Sequence, residues 1–171
     1  AMNEKQLAVF RQKHIGFVFQ SYNLLGSMTA LENVALPLTF RGFKRRTRNL
    51  IAKRMLEYVG LGKRIKHKPT EMSGGQQQRV GIARAFVTKP QVVFADEPTG
   101  NLDTATTKEV MELMVRQCRQ NNATMVLVTH DPDIAQYADR IIHIQDGAVI
   151  SDTRNQSVLT AASAPSAPAT A

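Results

Sequence analysis

Four short segments of the chain are rich in apolar residues. They lie at 15–19 (IGFVF), 92–95 (VVFA), 125–129 (MVLVT) and 140–144 (RIIHI). The first run predicts a strand, and the other three predict strands that are buried on both faces of a sheet. Asp146 and Gly147 predict a turn from the last of these strands into the segment AVIS.

Longer amphipathic stretches separate these runs and predict helices. We expect helices at 4–12, 29–40 and 46–60, directly after Ser73, and at 104–120. Apolar residues recur at helical spacing within them, and Gly60 is a favourable end for the third helix. Because strands alternate with helices after residue 90, the chain is predicted to have an α/β fold with a parallel, three-layer sheet.

Two segments fall outside this alternation. Residues 20–72 carry no strand signal, so we expect an inserted α-helical subdomain at about 21–88. The C-terminal segment ends in ASAPSAPATA, which is a low-complexity sequence. We therefore expect a disordered tail at 155–171, after a domain that covers 1–154.

Composition narrows the class of protein. The chain of 171 residues is 43% hydrophobic and 21% charged, which is typical of an ordinary globular protein. Its single cysteine, Cys118, cannot form a disulfide within the chain, and this favours a reducing, cytoplasmic environment. No apolar run approaches the length of about 20 residues that a membrane-spanning helix needs.

The net charge of +8 is unevenly distributed. Residues 41–68 contain half of the 22 Lys and Arg residues, and Glu57 is the only acid among them. Such a segment suits nucleic acid, anionic lipid or an acidic partner, and it is equally compatible with a solvated helix face. Aromatic residues do not alternate with these cations, so stacking on single-stranded nucleic acid is not expected.

Polar side chains follow three of the predicted strands. Asp96 and Glu97 end the run VVFA, at the place where ligands bind in open α/β sheets. An Asp there is a typical ligand for Mg²⁺ beside a nucleotide phosphate, and the adjacent Glu can polarise a water molecule. Gln20 can contact Mg²⁺ or the nucleophile, and His130 can bond a γ-phosphate or the attacking water. Solvated polar side chains in surface turns are the alternative for each.

The segment EMSGGQQQR, residues 71–79, opens a predicted helix with two glycines. Ser73 and Gln76 fit the S-x-x-Q capping box, which explains a capped helix but does not require Gly74 and Gly75. Two glycines in the first turn leave backbone N–H groups accessible, and a helix N-terminus suits a phosphate. We therefore expect a clamp for a γ-phosphate at this helix start.

Together these segments resemble the ATP-binding cassette (ABC) ATPases. Gln20 resembles the Q-loop glutamine, MSGGQ (72–76) the family signature, and VVFADE the strand with the Mg²⁺ ligand and the catalytic glutamate. NLD (101–103) resembles the D-loop, and His130 resembles the switch histidine. The order of these five motifs within residues 14–151 carries the resemblance. Segments such as ADEPTGNLD are most similar to the ATPases of macrolide exporters and lipoprotein-release systems, which act by mechanotransmission.

The resemblance implies a P-loop-NTPase-like fold with ATP and Mg²⁺ as cofactors, and it assigns roles to residues. The implied catalytic residues are Glu97, His130 and Gln20. The implied Mg²⁺ ligands are Asp96 and Gln20. The residues implied to contact ATP held by an opposite subunit are Ser73, Gly74, Gly75, Gln76 and Asp103. Asp103 also precedes a predicted helix, and an N-cap role alone would account for it.

The resemblance also implies partners and a location. In the family two cassettes face each other head to tail, and each ATP lies between the P-loop of one and the signature of the other. The helical subdomain would contact a transmembrane permease subunit. The implied location is cytoplasmic and peripheral, at the inner face of the cell membrane, and no nucleic-acid partner is expected.

One motif of the family is missing from the chain. The 171 residues contain no G-x-x-x-x-G-K-[ST], the P-loop whose backbone N–H groups and Lys hold the phosphates. We therefore expect an N-terminally truncated domain with an incomplete sheet, which does not hydrolyse ATP appreciably alone. Its uncovered edges and apolar faces predict marginal stability and poor solubility. The alternative function is a non-catalytic interaction or regulatory module that pairs with an intact cassette.

Overall fold

The computed structural model describes residues 2–155. The described chain divides into two units, one that ends at Val128 and one that begins at Thr129. The predicted disordered tail at 155–171 lies outside the described residues except for Asn155. Asn155 is buried, and its Nδ2 donates to the carbonyl oxygen of Gln136 at 2.9 Å.

Helices and strands alternate along the first unit, and every predicted element is present with small shifts at its ends. The helices of this unit are α1 (Glu4–His14), α2 (Ala30–Phe40), α3 (Arg45–Tyr58), α4 (Gly74–Phe86) and α5 (Thr104–Asn121). Its strands are β1 (Ile15–Phe19), β2 (Val92–Asp96) and β3 (Thr124–Val128). The second unit contains α6 (Pro132–Ala135), β4 (Arg140–Gln145) and β5 (Ala148–Arg154). Within residues 2–155, no helix is both long and apolar enough to cross a bilayer.

Capping boxes fix where three of the helices begin. Asn3, Thr29 and Ser73 each accept a hydrogen bond from the backbone N–H three residues later, and the side chain at that position accepts one in return. These reciprocal bonds satisfy donors that a helix N-terminus otherwise leaves unpaired. The capping box predicted for the SGGQ segment is therefore confirmed.

The first unit is built on a parallel sheet with the strand order β1-β2-β3. The register aligns the ends of these strands at Phe19, Asp96 and Val128. Since the strands are parallel, their carboxyl ends lie at one edge of the sheet. The polar residues that follow β1 and β2 therefore start from neighbouring positions on that edge.

Only one face of this sheet is buried. Val93 and Ala95 of β2 are 0% and 1% exposed, whereas Phe94 between them is 38% exposed. Phe17 and Val126, which pair with Phe94 from the adjoining strands, are 41% and 40% exposed. The prediction that β2 and β3 are buried on both faces is therefore wrong. Successive side chains point to opposite faces, and within residues 2–155 the packing buries only the face that carries Val93.

The helices between β1 and β2 form an apolar core of their own. Leu38 of α2, Leu56 of α3, and Ile82 and Phe86 of α4 are buried completely or nearly so. Asn33 is buried among them, and its Nδ2 lies 3.0 to 3.2 Å from three carbonyl oxygens around the start of α2. These bonds fix the loop that leads from β1 into the helices, because a buried amide is stable only when it is hydrogen-bonded.

Two cations of the basic segment 41–68 donate hydrogen bonds to backbone carbonyl oxygens. Arg41 donates to the carbonyl oxygen of Thr88 at 3.0 Å and lies over the ring of Phe43. Arg48 donates to the carbonyl oxygen of Phe43 at 3.3 Å. The other Lys and Arg side chains of the segment are exposed. Most of its charge therefore lies on a solvated surface.

The second unit contains a β-hairpin instead of a further parallel strand. β4 pairs antiparallel with β5, and Asp146 and Gly147 between them have positive φ values of 49° and 77°. An Asp-Gly pair in this conformation is the preferred two-residue hairpin turn. Ile142 and Ile144 of β4 are 48% and 68% exposed. The prediction that 140–144 is a buried strand is therefore wrong: the strand pairs with β5, and these two side chains remain exposed.

Candidate functional site

Three segments of the first unit lie against one another at the carboxyl edge of the sheet. They are the loop after β1, the loop after β2 and the start of α4. The side chain of Gln20 lies on Gly100, where an added Cβ atom would be 2.7 Å from its Nε2. Asn101 donates from Nδ2 to the carbonyl oxygen of Gln20 at 3.1 Å. The predicted Q-loop and D-loop segments are thus in direct contact.

The two carboxylates of the candidate site occupy the end of β2. Asp96 is the last residue of the strand and is exposed. Glu97 follows with a positive φ of 43°, and its N–H donates to the carbonyl oxygen of Val128 at 3.0 Å. A non-glycine residue in this conformation is strained and often marks a functional turn. Since Gln20 follows Phe19, which pairs with Asp96, both polar residues leave the same edge from neighbouring strands.

The start of α4 presents an exposed polar residue beside two glycines. Ser73 is the N-cap of the helix, and its Oγ accepts from the N–H of Gln76 at 3.4 Å. In return, Gln76 accepts through Oε1 from the N–H of Ser73 at 3.2 Å. Ser73 is exposed, whereas Gly74 and Gly75 are half-buried.

The two glycines have close neighbours within the chain. A Cβ atom at Gly74 would lie 2.7 Å from Oη of Tyr22, and one at Gly75 would lie 2.5 Å from Cγ2 of Thr106. Both distances are too short for a side chain to be accommodated without movement. The sequence predicts that the two glycines leave the backbone accessible to a ligand. The structure gives a second reason for glycine at these positions, because both pack closely against the β1 loop and α5.

Asp103 caps α5 and is hydrogen-bonded by Thr106. Its carboxylate accepts from the backbone N–H of Thr106 at 3.0 Å and from the Oγ1 hydroxyl of Thr106 at 2.7 Å. The hydrogen bond from the backbone N–H of Thr106 makes the largest contribution, and together with the bond from its hydroxyl it lowers the pKa of Asp103 below its usual value. Asp103 is therefore an ionised, exposed carboxylate close to the start of α4.

Two residues of α4 that the sequence did not identify join the loops to the helix. Gln78 is fully buried, and its Nε2 donates to the carbonyl oxygen of Pro98 in the loop after β2. Arg84 donates to the carbonyl oxygens of Tyr22 and Asn23 in the loop after β1, at 2.9 and 2.5 Å. Their signal in the sequence is weak, because α4 contains three consecutive Gln residues and two Arg residues, and nothing in the sequence distinguishes Gln78 or Arg84 from the others.

Arg84 is the stronger of these two connections, and its removal should destabilise the protein. Arg84 is half-buried, and this burial lowers the pKa of its guanidinium. We expect Arg84→Met to lower the free energy of unfolding by about 2 to 3 kcal/mol, because hydrogen bonds to a charged donor are lost and two carbonyls are left unpaired.

The measurement is urea unfolding, with Arg116→Met as the matched control. Arg116 is exposed on α5, and among residues 2–155 its ion-pair partner is Glu112, at 3.8 Å, so its replacement should cost no more than about 0.5 kcal/mol. Equal costs for the two variants would contradict the role given to Arg84.

His130 belongs to the second unit. It follows Thr129, whose Oγ1 accepts from the N–H of Asp131 at 3.1 Å. Asp131 caps α6 by accepting from the N–H of Asp133 at 2.8 Å. The predicted place of His130 beside Asp96 and Glu97 stays a prediction.

The donor atoms at the edge of the sheet suit one kind of metal. Among residues 2–155, no group of three or more His, Cys, Asp and Glu side chains is arranged to hold a metal ion. Asp96 and Gln20 offer a carboxylate and an amide oxygen from neighbouring strands. Mg²⁺ is commonly held by one or two carboxylates while water and substrate phosphates complete its shell. The residues present therefore fit Mg²⁺ that is shared with a nucleotide.

Comparison with known proteins shows the family of the chain. The family model described as ABC transporter matches residues 2–100. Among curated proteins, the macrolide export ATP-binding/permease protein MacB of Neisseria meningitidis serogroup B is 50% identical over 152 residues, which are 89% of this chain and 23% of that protein. MacB of Rhodopirellula baltica is 47% identical over 153 residues, 88% of this chain and 22% of that protein. The chain thus spans about a quarter of the length of these relatives.

Solved structures confirm the predicted fold class. A dimeric post-hydrolysis state of the ATP-binding cassette MJ0796 bound to ADP and Pi matches with a TM-score of 0.80 and 39% identity, over 90% of this chain and 68% of that one. A second dimeric structure of MJ0796, described as a bacterial ABC transporter cassette, matches with a TM-score of 0.80 and 40% identity. The P-loop-NTPase-like α/β fold and the predicted resemblance are both confirmed. The chain belongs to the ABC transporter family and is similar to its ATP-binding cassettes.

Proposed function

We propose that this chain is the ATP-binding part of an ABC transporter of the macrolide-export type, and that it offers its α4 start to ATP held on a second cassette. The observation that carries this proposal is the arrangement of Ser73 and Asp103. Ser73 is exposed at a helix N-terminus, and Asp103 is held by Thr106, whose methyl group lies over Gly75. A helix N-terminus attracts phosphate through its free N–H groups and its partial positive charge.

The start of α4 supplies the groups that bind the phosphate. The Oγ of Ser73 donates to an oxygen of the γ-phosphate, and the N–H groups of Gly74 and Gly75 point out of the helix end. Gln76 holds Ser73 in place through the capping box. Asp103 meets the partner subunit beside the nucleotide.

The edge of the sheet supplies the groups that handle metal and water. Asp96, with Gln20, would hold Mg²⁺, and the bound ion would supply neutralisation of charge on the phosphates. Glu97 orients the attacking water and polarises it, and His130 bonds the γ-phosphate. The contact of Gln20 with Gly100 and Asn101 supports this proposal, since it places the Q-loop glutamine beside the D-loop.

The partners follow from the same placement. We propose a head-to-tail pair with a second ABC cassette and a permease that the helical subdomain contacts, so that ATP-driven closure is transmitted mechanically to the membrane. The curated relatives are described as ATP-binding/permease proteins. Exposed Phe40 at the end of α2, close to Leu36 and Pro37, provides an apolar contact for such a permease. The location is cytoplasmic and peripheral at the inner face of the membrane.

We expect the 171-residue chain alone to show no steady ATP turnover. In this family a P-loop binds the phosphates and stabilises charge in the transition state, and the sequence contains no such motif. The measurement is phosphate release by the pure protein with ATP and Mg²⁺, compared with Glu97→Gln. The two proteins should give the same background rate. Turnover that Glu97→Gln abolishes would contradict the proposal.

A second candidate is a non-catalytic module that pairs with and regulates an intact cassette. Such a module would change the turnover of the intact cassette without contributing groups that contact its ATP. The two candidates differ in how the nucleotide affects pairing. The main proposal requires ATP for the complex, whereas a regulatory module binds equally with ADP or without nucleotide.

A further inference from the structure

Thr106 contacts both polar elements of the proposed nucleotide-facing surface. Its Oγ1 donates to one carboxylate oxygen of Asp103 at 2.7 Å, and its N–H donates to the other at 3.0 Å. Its methyl group lies over the first turn of α4, where a Cβ atom on Gly75 would be 2.5 Å away. The hydroxyl bond fixes the rotamer of Thr106, so the methyl group is held against the helix.

We infer that Thr106 is a positioning residue that ties the D-loop carboxylate of Asp103 to the start of α4. The inference rests on the proposed function, in which both elements face a partner's nucleotide. Capping of α5 alone would need only the backbone N–H of Thr106. The side chain adds a hydroxyl directed to Asp103 and a methyl group directed to Gly75, so a displacement of one element is passed to the other.

The surroundings support a rigid connection at this point. α4 and α5 are also joined by the ion pair of Arg79 with Glu109. On the other side of the α4 start, a Cβ atom at Gly74 would lie 3.6 Å from Cδ2 of Leu102. The first turn of α4 therefore contacts both the loop that carries Asp103, through Leu102, and the first turn of α5, through Thr106.

A pair of substitutions tests the contact between the methyl group and the helix. Gly75→Ala should raise the unfolding equilibrium constant about 10-fold or more, because overpacking against Thr106 outweighs the better helix propensity of Ala. In a Thr106→Ser background the methyl group is absent and the hydroxyl remains. There Gly75→Ala should leave the constant unchanged or lower it by up to about 5-fold.

Urea unfolding of the four proteins of this cycle gives the result. Loss or reversal of the cost of Gly75→Ala in the Thr106→Ser background supports the inference. A cost of Gly75→Ala that is the same in both backgrounds overturns it, since the space at Gly75 would then be limited by something other than Thr106.

A second test follows the coupling by NMR during acid titration of the full 171-residue chain. In the wild type, the pKa of Asp103 should stay below its usual value, and the amide signal of Gly75 should shift with the same midpoint. In Thr106→Ser the hydroxyl remains but the methyl group is absent, so the pKa of Asp103 should stay low while the Gly75 response disappears. In Thr106→Val the hydroxyl is lost, so the pKa of Asp103 should rise towards its usual value and the Gly75 response should disappear. A change in global stability alone does not move these signals in this pattern.

The outcomes separate this inference from the proposed function. If Thr106→Val leaves both the pKa of Asp103 and the Gly75 response unchanged, the inference is wrong, whatever the chain binds. If the coupling is observed but the chain never associates with an intact cassette in the presence of ATP, the proposed function fails and the coupling stands.

Discussion

Val93→Asn is expected to remove about 3 to 5 kcal/mol from the free energy of unfolding, whereas Phe94→Asn should cost about 1 kcal/mol. The two residues are neighbours on β2, but Val93 is fully buried and Phe94 is 38% exposed. Asn at position 93 loses apolar contacts and buries an amide without partners. Asn at position 94 remains in contact with water, so its polar atoms stay hydrated.

The pair is well matched, because the low strand propensity of Asn enters both variants equally. Urea unfolding measures the two costs. They are large or small relative to the free energy of unfolding of a typical domain, which is about 5 to 15 kcal/mol. Phe94→Asn should also make the protein more soluble, since Phe17, Phe94 and Val126 form an exposed apolar surface. Similar costs at both positions would show that the second face of the sheet is packed, and would contradict the structure.

Ser73→Asp is expected to weaken ATP-dependent association with an intact ABC cassette by about 100-fold or more, while Ser73→Asn should weaken it by less than about 10-fold. Asp and Asn are both good N-cap residues, so each variant keeps the start of α4. Asp also interacts favourably with the helix dipole. It nevertheless places a negative charge beside the triphosphate, and like charges at close range cost several kcal/mol.

This comparison separates binding from stability. Ser73→Asp should unfold at the same urea concentration as the wild type or at a higher one, while its affinity for the partner falls. The affinity is measured by sedimentation velocity of the chain with the MJ0796 cassette in ATP. If Ser73→Asp binds as tightly as Ser73→Asn, the start of α4 does not face the phosphates.

Local patterns predicted those features whose cause is local. The capping box of Ser73 and Gln76 and the Asp146-Gly147 turn depend on residues a few positions apart, and both are present. The parallel sheet followed from helices alternating with apolar runs. The polar residues after β1 and β2 were placed at one edge because parallel strands end at the same side.

The wrong predictions concern burial, which depends on what packs against a strand. The apolar run VVFA is compatible with a strand that is buried on one face or on both. The structure decides between these possibilities, because Phe94 is exposed. The contacts at Gly74 and Gly75 were equally hidden, because they depend on distant residues. Tyr22 reaches Gly74 only from a backbone with a positive φ of 61°, and Thr106 reaches Gly75 only when α5 lies beside α4.

The central claim is that Ser73 and its neighbours complete an ATP site on another cassette. The most direct test is sedimentation velocity of this chain with a variant of MJ0796. In that variant the counterpart of Ser73 is replaced by Asp, so that MJ0796 cannot pair with itself around ATP. Its counterpart of Glu97 is replaced by Gln to keep ATP intact. We expect a one-to-one complex with ATP and Mg²⁺ and separate proteins with ADP. Separate proteins in ATP, or a complex that forms regardless of nucleotide, would contradict the claim.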